Sequence, residues 1–271
     1  MNPANARECA RGYPSQVKLL YLGDSNDVDA WFEGGAKRHE ILRDRLEAEF
    51  GEPVEVTVKN IWPDERMVSV IGRWLAESEP DAVYVNVTSY PFAYESLPLR
   101  LRRVLGHFGP AVRDAGLRLA DSKRWAHNAV FRTIRRWGQA TVGGDTHFTC
   151  DQVIERFSEA IRLIGRAEGT CLIVKGPKGS SHTGITGREQ RRKEIKRLYV
   201  HHALEDLCQR LHIDYSGSET PLWRSRQRRG MTAGDGLHAN AMGHADLAEG
   251  VVQSVREAWK RHLDRESATP R

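Results

Sequence analysis

Five short apolar runs punctuate the chain, separated by longer stretches in which apolar residues recur at helical spacing. Val17 to Leu22 is almost wholly apolar and stops at Gly23-Asp24-Ser25-Asn26, as expected of a strand buried on both faces of a parallel sheet. Val54 to Val58, Asp81 to Val87, Thr170 to Val174 and Ile213 to Tyr215 read as four further strands. The spacing predicts helices from about Ala36 to Phe50 and from about Gly187 to Leu211, the latter with Ile195, Leu198, Leu204, Leu207 and Leu211 facing inward. Another follows His238 near the end of the chain, while the stretch between Asp64 and Asp81 receives no assignment.

The long interval from Ser96 to about Ala167 shows no clear strand. Leu97, Leu101, Val104 and Leu105 suggest one helix there, Trp125, Val130, Ile134 and Trp137 a second, and Val153, Phe157, Ile161 and Ile164 a third. Strands alternating with helices predict an α/β fold, a parallel sheet and right-handed crossovers. The expected organisation is an extension over 1–15, a single domain over 16–263 and a tail over 264–271.

Charge narrows the picture only slightly. The net charge of +5 comes from arginine clusters at 100–103, 132–136, 188–197 and 224–229, yet 41 basic residues face 36 acidic ones. Solvated helix faces are the expectation, and no specific nucleic-acid partner is predicted. Cys9, Cys150, Cys171 and Cys208 are scattered without a C-x-x-C pair, which argues against a zinc site or a disulfide framework. The opening segment has no apolar core of signal-peptide length and nothing later approaches a membrane span, so a cytoplasmic protein is expected. His107, His127 and His147 lack ligand spacing and read as surface or packing residues; His201 and His202 are adjacent, point different ways on a helix and make a poor metal pair. The Gly and Lys rich stretch 175–182 does not fit a P-loop and reads as a loop beside the pocket.

The candidate chemistry lies near the two ends of the chain. Ser25 falls just past the carboxyl end of the first strand, where open α/β sheets bind ligands. Asp235-Gly236-Leu237-His238, followed by Asn240, Gly243 and His244, precedes the last helix. A serine hydroxyl becomes nucleophilic when a base accepts its proton, and the base works best when a third group fixes its tautomer. Asp235 and His238, three residues apart, can share one side of a turn entering a helix. The alternative is that Asp235 caps the helix and His238 lies on the surface.

A strand ending in Gly-Asp-Ser, with Asp-Gly-Leu-His-x-Asn-x-x-Gly-His before the last helix, resembles the SGNH/GDSL hydrolase family. The resemblance implies a flavodoxin-like three-layer α/β/α domain with a five-stranded parallel sheet, here with an enlarged helical insertion between strands 3 and 4. It implies Ser25 as nucleophile, His238 as base and Asp235 as the orienting carboxylate, with no metal or organic cofactor. The implied activity is hydrolysis of a small-molecule ester or thioester through an acyl-Ser25 intermediate; an acyltransferase using the same residues, or a binding protein on the hydrolase scaffold, are the alternatives.

Two family blocks are altered. Asn60 is kept after the second strand, but Trp62 and Pro63 stand where a glycine is expected. After the third strand the position of the family's oxyanion-donating Asn falls on Tyr90. Asn60, Trp62, Thr88 and Tyr90 are therefore the candidate oxyanion and substrate residues, with Tyr90 or the Thr88 and Ser89 hydroxyls replacing the Asn. The competing reading packs Tyr90 and Phe92 under the next helix, and likewise Trp31 and Phe32 either line the pocket or pack beneath the first helix.

Overall fold

The computed structural model describes residues 16–23, 34–105, 144–177, 187–217 and 239–268, with isolated positions between 110 and 137 and at 231. Within them the strands are β1 (Val17–Gly23), β2 (Val54–Asn60), β3 (Ala82–Asn86), β4 (Cys171–Lys175) and β5 (Asp214–Ser216). The helices are α1 (Arg38–Phe50), α2 (Met67–Ser78), α3 (Tyr90–Ala93), α4 (Leu97–Val104), α5 (Cys150–Ile164), α6 (Gly187–Arg210) and α7 (Ala241–Ala268). All strand pairs are parallel, in the order β2-β1-β3-β4-β5, which is the flavodoxin-like order.

Alternation along the strands builds the three layers. Leu20, Leu22, Val83, Val85, Leu172 and Val174 project to one side, where α2, α5 and α6 cover them. Leu19, Tyr21, Ala82, Tyr84, Cys171 and Ile173 project to the other, against α1 and α7. Tyr21 and Tyr84 stack at 5.3 Å between ring centroids, and the buried Arg38 guanidinium lies 5.5 Å over the Tyr21 ring. Cys150, Cys171 and Cys208 are free thiols, and burial pushes Cys171 and Cys208 up to about 12.

The structure adds a helix that the sequence pattern does not assign. Helix α2 fills the interval after β2, with Met67 and Ile71 buried and Trp74 and Leu75 packed on the same core. On α6 and just past its end the inward stripe differs from expectation: Ile195, Leu198 and Leu211 are exposed, while Leu204 and Leu207 are buried with Val200 and Cys208. Lys193 and Arg197, expected on a solvated face, are also buried. The physical reason is that both find partners. Arg197 pairs with Glu194 and donates to the Pro177 carbonyl at 3.3 Å, and Lys193 lies 5.5 Å over the Tyr94 ring.

Between β3 and β4 the chain adds α3, α4 and α5, and Ser96 bridges Asp145 in antiparallel fashion. Helix α7 continues to Ala268, past residue 263, because Arg261 and Arg265 reach back to the Asp214 carboxylate at 2.8 and 3.3 Å. Among the described residues no helix is long and apolar enough to cross a membrane.

The corrected face of α6 makes a direct comparison possible. Leu204→Ala is expected to cost about 2–5 kcal/mol in urea unfolding, whereas Ile195→Ala should stay within about 0.5 kcal/mol.

Candidate functional site

Strand β1 delivers the chain to the carboxyl edge of the sheet at Gly23, whose register partner is Asn60 on β2. The Ile61 N–H donates to the Gly23 carbonyl at 3.3 Å, so β2 stays pinned to β1 one residue beyond the strand. On its other side β1 pairs with β3, and this β1/β3 boundary is the switch point where the strand order reverses. Ligands of doubly wound sheets bind in the crevice that such a reversal opens.

The helix following the second candidate block starts beside the start of α1. Asn240 precedes α7 and caps it, its Oδ1 accepting the Gly243 N–H at 3.0 Å. Its own N–H donates to the Met231 carbonyl at 3.0 Å, and a Cβ on Gly243 would overlap that same carbonyl oxygen. His244, buried, accepts the Arg38 N–H on Nδ1 at 3.2 Å, which ties the start of α7 to the start of α1. A backbone N–H can only donate, so Nδ1 carries the lone pair and the imidazole is uncharged. Just ahead of α1, Gly35 has φ +94 and would bring a Cβ to 3.1 Å from that of Ala241.

Ser25, Asp235 and His238 lie outside the described residues. Described residues on their flanks approach one another: Gly23 ends β1 at the sheet edge, and Gly35, two residues past the segment 24–33, packs close to Ala241, three residues past His238. Trp31 and Phe32 belong to that segment and also lie outside the description.

Of the remaining candidates, Asn60 is exposed at the end of β2, and Thr88 is half-buried just past β3. Strand β3 ends at Asn86, the Val87 N–H still donates to the Lys175 carbonyl at 2.9 Å, and Tyr90 already begins the single turn of α3. Tyr90 is therefore placed by a helical turn and not by continuation of the strand. Its ring instead stacks on Tyr94 at 4.9 Å and joins Trp62 at 6.2 Å and His147 at 5.8 Å. Trp62 meets His147 and Phe148 edge-on, at 5.1 and 5.6 Å.

His147 and Phe148 reach this cluster through local bonds. The Phe148 N–H donates to the Pro91 carbonyl at 3.1 Å, and the Thr146 hydroxyl donates to the Phe148 carbonyl at 2.9 Å. Thr149 then caps α5 with a reciprocal bond pair to Gln152. A packing role for His147 agrees with the sequence reading, but its position against Trp62 and Tyr90 has no signal in spacing. Its Nε2 is buried without a hydrogen-bond partner, and burial lowers its pKa from 6.5. Lys175, buried at the end of β4, donates to the Ser216 hydroxyl at 2.9 Å and the Gly217 carbonyl at 2.8 Å. Burial lowers its pKa as well.

Only one group among the described residues has metal-ligand geometry, His201, His202 and Glu205 on α6. Although adjacent on the helix, the two histidine rings lie 5.1 Å apart and both approach Glu205, contrary to the divergence expected from sequence.

No family profile matches the chain, and no curated protein matches it. Solved structures do. A lipase/acylhydrolase from Enterococcus faecalis is similar at TM-score 0.54 and 13% identity, over 89% of this chain and 96% of that one. The psychrotrophic esterase EstA from Pseudoalteromonas sp. is similar at TM-score 0.52 and 10% identity, over 90% and 98%. TesA is similar at TM-score 0.51 and 15% identity, over 89% and 99%. The chain thus has the fold of these hydrolases along almost its whole length.

The depressed pKa of His147 sets a sign for acid sensitivity. The folded protein resists protonating this ring, so its contribution is full above pH 6.5, the ordinary value, and is lost as the pH falls below it. The urea midpoint of the wild type should therefore drop more between about pH 7.5 and about pH 5.5 than that of His147→Phe. Equal drops in the two proteins would contradict the assignment.

Proposed function

We propose that the protein is a serine hydrolase acting on a small-molecule acyl ester or thioester, with Ser25 as nucleophile, His238 as general base and Asp235 as the group that orients it. The observation that carries this reading is the meeting of the two flanks. Gly23, two residues before Ser25, ends β1 at the carboxyl edge of the sheet, and Gly35, ten residues after Ser25, packs close to Ala241, three residues past His238. A fold shared with esterases and acylhydrolases over nearly the whole chain supports the same reaction class.

In the proposed reaction the Ser25 hydroxyl oxygen attacks the ester carbonyl carbon as its proton passes to His238. Collapse of the tetrahedral adduct expels the alcohol or thiol, which leaves with that proton, and acyl-Ser25 remains. Water then attacks the acyl carbon while giving a proton to His238, and release of the carboxylic acid returns that proton to Ser25. Asp235 holds the imidazole in the productive tautomer and stabilises it when protonated.

The Ser25 N–H supplies one oxyanion donor in this reading. The Thr88 hydroxyl, just beyond β3 at the switch point, supplies another in place of the family's Asn. Tyr90, whose ring is committed to the aromatic cluster, serves with Trp62 as a wall for the acyl or alcohol group, and the exposed Asn60 lies at the rim.

Turnover of a chromogenic short-chain acyl ester tests the assignment. Ser25→Ala should lower kcat by at least about four orders of magnitude, and His238→Ala should do nearly the same. Thr88→Val should lower it by about 100- to 1000-fold with little change in KM. Full activity in Ser25→Ala would refute the mechanism; a folded wild type that binds esters without turnover would favour the binding protein.

A further inference from the structure

We propose a zinc site on α6 where the helix borders β5, formed by His201 Nε2, His202 Nδ1 and Glu205 Oε2, with water completing the coordination. The site lies toward the end of the sheet away from β1, beside β5, and uses none of the residues proposed for ester chemistry.

Geometry is the first support. The carboxylate oxygen of Glu205 stands 3.7 Å from His201 Nε2 and 3.4 Å from His202 Nδ1, and the three atoms all lie within 4.8 Å of one another. Ligands bound at about 2.0–2.2 Å to a tetrahedral zinc ion are separated by roughly 3.4 Å. The arrangement therefore needs movements of no more than about an ångström to close on an ion. Because Glu205 is three residues from one histidine and four from the other, a single helical turn presents all three.

The second support is the environment of His201. The Tyr215 hydroxyl lies 2.7 Å from His201 Nδ1 and 3.2 Å from the His201 carbonyl oxygen. It has one proton, and giving that proton to the carbonyl leaves its oxygen free to accept Nδ1–H. His201 then presents the Nε2 lone pair towards Glu205, the tautomer a metal requires, with Tyr215 as the outer partner that fixes the ring. The backbone gives way to this pair: a Cβ at Gly176 would overlap the Tyr215 hydroxyl and come within 3.0 Å of His201 Nδ1.

Access is the third support. His201 and Glu205 are partly buried, whereas His202 is exposed, so the ion's remaining positions face solvent. Two imidazoles and one carboxylate with open positions suit Zn²⁺ better than hard cations such as Mg²⁺ or Ca²⁺. An ion here ties α6 to β5 through Tyr215.

The competing use of the same residues is a plain histidine–carboxylate ion pair along the helix. Calorimetric titration of the untagged, chelator-treated full chain with zinc sulfate near neutral pH separates them. One ion per chain should bind with micromolar affinity, and Zn²⁺ should raise Tm. His202→Ala, a change at an exposed position, and Glu205→Gln should each weaken binding by at least about 100-fold, and Tyr215→Phe by about tenfold. Absence of saturable binding to the wild type would overturn the proposal. So would affinity unchanged in both His202→Ala and Glu205→Gln, since the ion would then lie elsewhere.

Discussion

Where β1 ends determines what the rest of the chain can do. Paired to β2 over all seven residues and to β3 over four, it has almost no freedom of register. A slip of one residue would exchange Leu20 and Leu22 with Leu19 and Tyr21, and both cores would be lost together. That constraint fixes Gly23 at the carboxyl edge, and the Ile61 to Gly23 bond extends it one residue further. The reversal of strand order between β1 and β3 then opens a crevice above this point. Among the described residues, Trp62 beyond β2 and Tyr90 beyond β3 bring their rings together past this edge.

The sheet was legible in the sequence because burial on both faces leaves near-continuous apolar runs, as in Leu19 to Leu22 and Val83 to Val85. Helix α5 was legible for the related reason that Val153, Phe157, Ile161 and Ile164 all face one core. The inward face of α6 was not. Lys193 and Arg197 are buried because Tyr94, Glu194 and the Pro177 carbonyl receive them, and of these only Glu194 is local in sequence. A pattern that counts apolar residues assigns such positions to solvent and promotes Ile195 in their place. Helix α2 escaped because its buried stripe is short, with only Met67 and Ile71 fully covered.

The site divides along the same line. Its framework is local: Asn240 caps α7, Gly243 fits against Met231, and His244 receives Arg38, so Asn-x-x-Gly-His is a device for starting a helix in a fixed place. What surrounds the edge is tertiary. Trp62, Tyr90 and His147 come from three segments, and only folding brings their rings together. Tyr90 shows what a strand-based alignment does not carry: it begins one turn of helix, and its ring stacks on Tyr94.

The proposed chemistry rests on a single reactive hydroxyl at the end of β1. Its most direct test is peptide mapping by mass spectrometry after the wild type has reacted with a fluorophosphonate. One phosphonyl group on the peptide containing Ser25, absent when His238 is replaced by alanine, is the predicted result. Labelling of a different serine, or none on the folded protein, would contradict it.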